Sequence, residues 1–212
     1  MATHSDASPT RRLAGLLLIA TLTLGVLGLT ACDPTGDVRF LATPLPAERV
    51  DGVGWAVALT STRIYLGGTF TAVRNQSGQN QGSYANVAAF DRNTRAVIPG
   101  FRADTNGIVR TLAVHGDTLY LGGDFTTVNG QPRARVAAVD LQTGAVKAFR
   151  ADTNRVNKVV VAGDRLYVAG TFSTIGGVTR NRVAALDLTT GAVDPTFDPN
   201  VNAMVNTIAA LP

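Results

Sequence analysis

Three copies of one short segment constrain this chain more than any other feature. The segment reads Ile64-Tyr-Leu-Gly-Gly-Thr-Phe70, then Leu119-Tyr-Leu-Gly-Gly-Asp-Phe125, then Leu166-Tyr-Val-Ala-Gly-Thr-Phe172. The residues after each copy recur in the same order, so that phenylalanines 101, 149 and 197 stand 48 residues apart. A fixed period of this length is typical of repeat architectures. The spacing predicts three structural units at residues 53–107, 108–155 and 156–202.

Each unit has the pattern of four short strands. In the second unit, turn signals at 115–117, 129–130 and 142–144 separate β-rich runs at 109–114, 118–121, 135–140 and 145–149. No segment after residue 52 shows a sustained helical period, which predicts an all-β fold. Four antiparallel strands in a unit of about 48 residues are typical of a β-propeller blade.

The residues of the repeat resemble those of a known family. The segments that carry the resemblance are Tyr120-Leu-Gly-Gly-Asp-Phe-Thr-Thr-Val-Asn-Gly130, Arg135-Val-Ala-Ala-Val-Asp-Leu-Gln-Thr-Gly-Ala-Val146 and Phe149-Arg-Ala-Asp-Thr-Asn154. They are similar to the delta-60 repeat family, over roughly residues 53–212. The resemblance implies a bacterial β-propeller of uncharacterised function on a secreted or surface-attached protein. It implies no catalytic residues.

The N-terminus has the pattern of an export signal. Residues 1–12 are polar and end in Arg11-Arg12, and residues 13–31 are almost wholly apolar. Leu29-Thr30-Ala31-Cys32 resembles a bacterial lipobox, in which the cysteine thiol receives a diacylglyceryl group. The alternative is an uncleaved membrane anchor, because an apolar run of this length nearly spans a bilayer. We expect residues 1–31 to be a lipoprotein signal peptide, Cys32 to be lipidated, and residues 32–52 to form a tether.

These features predict an exported protein, lipid-anchored through Cys32 to the outer face of the bacterial cytoplasmic membrane or to the cell envelope. Residues 203–212 match the first strand of a further unit. Closed propellers have about four to eight blades, and three units fall short of that number. One hypothesis is that the chain is the N-terminal part of a longer propeller. The other is a homo-oligomer, for example two chains that together supply six blades.

The composition offers little support for catalysis, metal binding or nucleic-acid binding. The formal net charge is +4, and the basic residues are scattered singly, so we expect no nucleic-acid partner. Cys32 is the only cysteine, and His115 is the only histidine after residue 31, so no zinc site and no disulfide are predicted. Trp55 is the only tryptophan, unlike the quinone-cofactor propellers with a tryptophan late in each blade, and we expect no cofactor.

Two sets of repeated polar residues have competing interpretations. Asp91, Asp140 and Asp187 each precede a turn, where a carboxylate accepts backbone N–H bonds; a metal or catalytic role is the alternative. Loop arginines recur near the start of each third strand, where a solvated rim is the plain interpretation and binding of anionic groups the candidate function. That candidate rim comprises Arg133, Arg135, Arg180 and Arg182, with Arg74 in the first unit.

We therefore predict a non-catalytic binding or scaffolding module whose ligand is an unidentified protein or glycan. A first alternative is a propeller-type hydrolase or lyase acting on extracellular polysaccharide, in which the fold would bring aspartates together. A second alternative is a structural spacer at the cell surface. No catalytic residue is assigned.

Overall fold

The computed structural model describes residues 47–210 of the 212-residue chain, and every regular element in that range is a β-strand. Three antiparallel sheets of three strands repeat along the chain. The first sheet contains β2 (Val53–Leu59), β3 (Arg63–Thr69) and β6 (Val87–Asp91). The second contains β7 (Val109–His115), β8 (Thr118–Gly123) and β11 (Val136–Asp140). The third contains β12 (Val156–Ala162), β13 (Arg165–Gly170) and β16 (Val183–Asp187).

Short hairpins connect the second and third strands of each sheet. In the second unit β9 (Thr127–Val128) pairs with β10 (Gln131–Pro132), and in the third β14 (Thr174–Ile175) pairs with β15 (Val178–Thr179). Asn129 and Gly130 both have positive φ, at 48° and 74°, as the tight hairpin turn between β9 and β10 requires. In the first unit β4 (Ala72–Arg74) and β5 (Asn80–Ser83) take this place, and β1 (Arg49–Val50) pairs with β4.

The fourth strand of each unit is shorter than the sequence predicts. It is a single β-bridge in each unit, such as the one between Val139 and Val146. The Lys147 N–H still donates to the Ala138 carbonyl at 2.9 Å. Two residues later Phe149 is buried in the core between units, so the chain bends away from the sheet edge and the ladder ends.

The core lies mainly between neighbouring sheets. One face of each sheet carries a tyrosine that packs edge-on against a phenylalanine: the ring centroids of Tyr65 and Phe101 are 5.3 Å apart, and those of Tyr120 and Phe149 are 5.6 Å apart. The next sheet covers this pair with aliphatic side chains, including Leu121 in one core and Val168 in the other. Paired alanines on the third strands keep the sheets thin enough to stack, and all six are buried.

Both ends of the described region depart from the regular pattern. Arg49 and Val50, in the predicted tether, form a strand against the first hairpin. Residues 203–210, predicted as the first strand of a further unit, have no strand partner among the described residues and form no strand. They lie against the third sheet, where the Val205 N–H donates to the Gly170 carbonyl at 3.2 Å.

Within residues 47–210, no helix is long and apolar enough to cross a membrane.

Candidate ligand site at the strand bulges

The first strand of every sheet has a bulge at the same register. In each case the pairing with the second strand skips one residue, and the skipped residues are Trp55, Arg110 and Asn157. A bulge leaves its extra residue unpaired and redirects its side chain. The bulges therefore present one side chain from each unit without using it in the ladder.

These bulge positions vary while their surroundings repeat. Tryptophan, arginine and asparagine occupy the bulge in the three units. The second strand ends at Thr69 in the first unit and at Gly123 in the second, where Asp124 follows in the place of that threonine. Packing between sheets fixes the repeated apolar residues, but it does not fix residues that point away from the core. Variation at such positions marks where a repeat scaffold can recognise a ligand.

An ion cluster at these positions joins the second sheet to the segment that leads into the third sheet. The Asp124 carboxylate accepts from Arg110 Nε at 3.0 Å and from Arg110 Nη2 at 2.6 Å, both on Oδ2. Its other oxygen accepts from Arg155 Nε at 2.9 Å. Arg155 keeps 54% of its side chain exposed, compared with 25% for Arg110 and 22% for Asp124. Two cations face one anion, so the cluster carries net positive charge.

An exposed aromatic side chain lies beside this cluster. Trp55 is 55% exposed, and its indole Nε1–H donates to Thr69 Oγ1 at 3.2 Å. The Arg110 guanidinium carbon lies 5.9 Å from the centre of the Trp55 ring, which is within the range of a cation–π contact. Trp55, Arg110, Asp124 and Arg155 are here called the Trp55–Asp124 cluster.

The electrostatics of the cluster favour anion binding over proton transfer. Burial raises the pKa of Asp124, but the hydrogen bonds and charges of Arg110 and Arg155 outweigh burial, so that its pKa lies below the usual value. The carboxylate is therefore ionised at neutral pH and serves to orient the two guanidinium groups. Arg155 contacts Asp124 through Nε, and 54% of its side chain is exposed, so its guanidinium group is accessible to a carboxylate or sulfate group.

Two arginines of the predicted binding rim bind backbone carbonyls next to these positions. Arg135 Nη1 donates to the Asp124 carbonyl and, at 3.2 Å, to the Phe125 carbonyl. In the third unit Arg182 Nη1 donates to the Phe172 carbonyl at 2.7 Å. Both residues have positive φ, as does Asn86 at the same place in the first unit. These contacts anchor the loop after each second strand, and ligand binding by Arg135 and Arg182 stays a prediction.

The other two rim arginines connect the hairpins to the bridge segments. Arg133 Nη2 donates to the Lys147 carbonyl at 2.8 Å. Arg180 is only 9% exposed and donates to the carbonyls of Phe197 and Asp194, each at 3.2 Å. The described contacts of Arg133 and Arg180 therefore fix each hairpin within its own unit, and a role in binding is still untested.

A cleft lies at the opposite ends of the sheets from the Trp55–Asp124 cluster. The register places Asp140 beside Thr118, at the turn of the second sheet, whereas Val136, next to Arg135, lies beside Gly122 at the other end. At the turn end, a cleft of about 540 Å³ lies between the second and third units. The acidic, basic and histidine residues of its lining are His115, Asp117, Lys147, Asp164, Arg165 and Asp187.

The carboxylates at this end of the sheets accept hydrogen bonds from residues of the fold. Asp117 accepts from Lys147 Nζ at 2.6 Å, which lowers its pKa. Asp140 accepts from the Thr143 hydroxyl at 2.7 Å and from the Thr143 N–H at 2.8 Å, and these bonds lower its pKa. Asp91 and Asp187 make the same turn contacts. Within residues 47–210, no group of three or more His, Cys, Asp or Glu residues could hold a metal ion.

Sequence reasoning singled out the loop arginines and missed the Trp55–Asp124 cluster. The sequence contained two signals for this cluster. Asp124 stands where the other two copies of the repeated segment have Thr69 and Thr171. The bulge position is tryptophan in the first unit, arginine in the second and asparagine in the third. The predicted lipidation site, Cys32, and the predicted signal peptide lie outside the described residues.

Comparison with known proteins supports the fold. The family model described as "Domain of unknown function (DUF5122) beta-propeller" matches residues 164–197, from the turn before β13 to the bridge segment of the third unit. No curated protein matches the chain. With the repeated antiparallel sheets, this match confirms the prediction of an all-β chain built from β-propeller repeats.

Proposed function

We propose that this chain is a surface-tethered, non-catalytic binding module whose β-propeller repeats recognise an acidic glycan at the Trp55–Asp124 cluster. The observation that carries the proposal is the exposed Trp55 ring beside Arg110, which shares the Asp124 carboxylate with the half-exposed Arg155. An indole face offers a sugar ring a flat apolar surface, and a guanidinium group pairs with a carboxylate in bidentate fashion. Their proximity suits a polymer with both features.

The rigidity of the bulges supports recognition. Arg110 is held by two hydrogen bonds to Asp124, and Trp55 is held by its bond to Thr69. Side chains fixed before binding lose little conformational entropy when a ligand arrives. The repeated sheets therefore serve as a support, and the ligand contacts come from the positions that differ between units.

The charge state of the carboxylates favours binding over hydrolysis. A glycosidase needs one carboxyl group with a raised pKa to protonate the leaving oxygen. In the described region, the pKa lies below the usual value for aspartates 51, 91, 117, 124, 140, 152, 187 and 194. Each of these groups accepts hydrogen bonds that favour its ionised form.

Calorimetric titration of the full chain with polygalacturonate tests the proposed ligand site. We expect Trp55→Ala and Arg155→Gln each to weaken binding by about tenfold or more, and added salt to weaken it further, because both cations of the cluster are partly exposed. Arg92→Gln, an exposed arginine at the turn end of the first sheet, is the matched control. Equal affinity in all four proteins would refute the site. Release of reducing ends during the titration would instead favour the hydrolase or lyase.

The tether belongs to the same proposal. We propose that Cys32 carries the lipid and that the module faces outward from the bacterial membrane or envelope. Intact-mass measurement of protein extracted from membranes tests this: wild type should carry a diacylglyceryl mass that Cys32→Ser lacks. An unmodified chain that retains residues 1–31 would show that this segment is an ordinary membrane anchor.

A further inference from the structure

The two interfaces between neighbouring units contain the same hydrogen bond. Between the first and second units, Tyr65 Oη donates to the Leu141 carbonyl at 2.7 Å. Between the second and third units, Tyr120 Oη donates to the Leu188 carbonyl at 2.7 Å. Each acceptor directly follows the turn aspartate of its unit. The first interface can therefore be compared with the second, residue by residue.

An arginine fills the turn end of the first interface. Arg63 is the first residue of β3, and its side chain reaches the second unit. Its Nη1 donates to the Gln142 carbonyl at 2.8 Å and to the Leu141 carbonyl at 3.3 Å. The chain thus supplies a guanidinium group to two consecutive carbonyls where these two units meet.

The second interface has a threonine at the position of this arginine. Thr118 starts β8 as Arg63 starts β3, and each lies beside the turn aspartate of its own sheet. A threonine side chain is too short to reach the neighbouring unit. The counterpart of the Gln142 carbonyl is that of Thr189, and no described residue donates a hydrogen bond to it. The second interface therefore lacks the donor that the first interface provides.

A shorter segment borders the same place. The N–H groups of Ile98 and Lys147 donate to equivalent alanine carbonyls of their sheets, at 2.8 and 2.9 Å. From these residues to the buried phenylalanine, the first unit has the four residues 98–101 and the second unit the three residues 147–149. Thr118 and residues 147–149 all line the cleft of about 540 Å³ between the second and third units. Both differences between the interfaces therefore coincide with the cleft.

The cleft has a net negative formal charge. With its histidine neutral, the lining has three carboxylates and two cations, which sum to −1: Asp117, Asp164 and Asp187 against Lys147 and Arg165. Both cations already have a partner. Lys147 Nζ lies 2.6 Å from Asp117 Oδ1, and the Arg165 guanidinium lies 2.6 Å from Asp164 Oδ2. An anion would have to break these pairs, whereas a cation would not.

Two oxygen acceptors of the third unit border the cleft. The Asp187 carboxylate accepts from the Thr190 hydroxyl and N–H, each at 2.8 Å, and from the Thr189 N–H at 3.0 Å, always through Oδ1. No described residue donates to its Oδ2. Hydrogen bonds from a charged donor to a carboxylate are among the stronger ones in proteins. Asp187 Oδ2 and the Thr189 carbonyl therefore suit a cationic donor group.

We infer that the cleft between the second and third units binds the guanidinium group of an arginine side chain, supplied by a peptide or by a free ligand. The group takes the place that Arg63 fills at the first interface, with the Thr189 carbonyl and the Asp187 carboxylate as acceptors. A guanidinium group has several donors in one plane and stays charged at every physiological pH. The cleft lies at the opposite ends of the sheets from the Trp55–Asp124 cluster, so this inference is independent of the proposed glycan site.

NMR titration of the isotope-labelled full chain, in detergent with the N-terminal apolar segment retained, tests this inference. The probe is N-acetyl-argininamide, whose only charge is the guanidinium group, and the control ligand is the neutral N-acetyl-citrullinamide. We expect saturable shifts of the Thr118 and Thr189 amide signals, and binding of the citrulline ligand weaker by about tenfold or more. Equal binding of both ligands, or no shift with the arginine probe at about 20 mM, would overturn the inference.

A short peptide distinguishes the two sources of the arginine. The peptide Gly-Gly-Arg-Gly-Gly, blocked at both ends, has the same single charge as N-acetyl-argininamide. Tighter binding of the peptide, by about tenfold or more, identifies a peptide ligand that also contacts the cleft through its backbone. Equal affinity of the two probes identifies a free ligand with a guanidinium group.

A double variant copies the first interface into the second. Thr118→Arg with Lys147→Ile reproduces the arginine and isoleucine of the first unit, so the new arginine should occupy the cleft. We expect the dissociation constant of N-acetyl-argininamide to rise by about tenfold or more. Lys147→Ile alone should bind the probe at least as tightly as wild type, because it removes a positive charge. Thr179→Arg, at an exposed threonine on β15, is the matched control. Unchanged affinity in the double variant would refute the site.

Removal of Arg63 keeps the test valid if the double variant unfolds. Arg63→Ala should open the equivalent place between the first and second units, so that a second molecule of N-acetyl-argininamide binds. We expect new saturable shifts at the Gln142 amide, which wild type does not show. Their absence in a folded Arg63→Ala chain would contradict the inference that Arg63 is the internal counterpart of the ligand.

Discussion

Replacing Tyr120 with phenylalanine removes one hydrogen bond between two units and leaves the packing between them in place. The Tyr120 ring lies edge-on to Phe149, and its hydroxyl donates to the Leu188 carbonyl at 2.7 Å. Tyr120 is only 2% exposed. The variant therefore isolates the contribution of this hydroxyl to the stacking of the second and third units.

The expected loss follows from the unpaired carbonyl. A neutral hydrogen bond contributes about 1 kcal/mol net, and an acceptor that is left partly buried without a donor adds to the cost. We expect Tyr120→Phe to lower the free energy of unfolding by about 1–2 kcal/mol and the melting temperature by about 2–8 °C. Tyr65→Phe should cost less, because the Leu141 carbonyl also accepts from Arg63 Nη1 at 3.3 Å.

Guanidinium unfolding provides the assay, with Tyr167→Phe as the matched control. Tyr167 lies at the same repeat position, but no described residue accepts from its hydroxyl, so this variant should change the unfolding free energy by less than about 0.5 kcal/mol. Equal destabilisation by Tyr120→Phe and Tyr167→Phe would refute the argument that the bond between units carries the effect.

Two further predictions concern the packing between units and the turn carboxylates. A Cβ at Gly122 would lie 2.7 Å from Thr111 Cγ2 and 2.8 Å from Val156 Cγ1, so Gly122→Ala should destabilise the fold by about 1–3 kcal/mol. Gly100→Ala, where a Cβ meets nothing within 4 Å, should change stability little in the same thermal melts. The Thr143 hydroxyl and amide hold the pKa of Asp140 below its usual value. A depressed folded-state pKa contributes stability above the unfolded value of about 3.9 and loses it as the pH falls through the folded value. Acid unfolding of wild type should therefore begin below about pH 4 and be less steep in Asp140→Asn; unchanged steepness would contradict this role.

Local features of the repeat were predictable because they depend on residues close in sequence. The Asn129-Gly130 pair supplied the two positive φ values of a tight turn, and each turn aspartate was followed by the threonine that bonds to it. The turn signals between β-rich runs indicated which runs would be strands. These signals sufficed for an all-β fold of repeated units, and the fourth strand was overestimated because burial of Phe149 bends the chain away from the sheet.

The sequence by itself determined the repeat, its strand-forming runs and its turns, since the repeat is visible in the residues themselves and the other two depend on residues close along the chain. Only the tertiary structure decided which side chains meet. A bulge shifts the register by one residue and leaves Arg110 outside the ladder. Packing of the third sheet beside the second brings Arg155, which directly precedes β12, to Asp124 across 31 residues of chain. The exposure of Val57 and Leu59 likewise follows from what packs on a face rather than from the residues on it. A repeat sequence specifies identical faces, and only the assembled structure distinguishes the covered faces from the open ones.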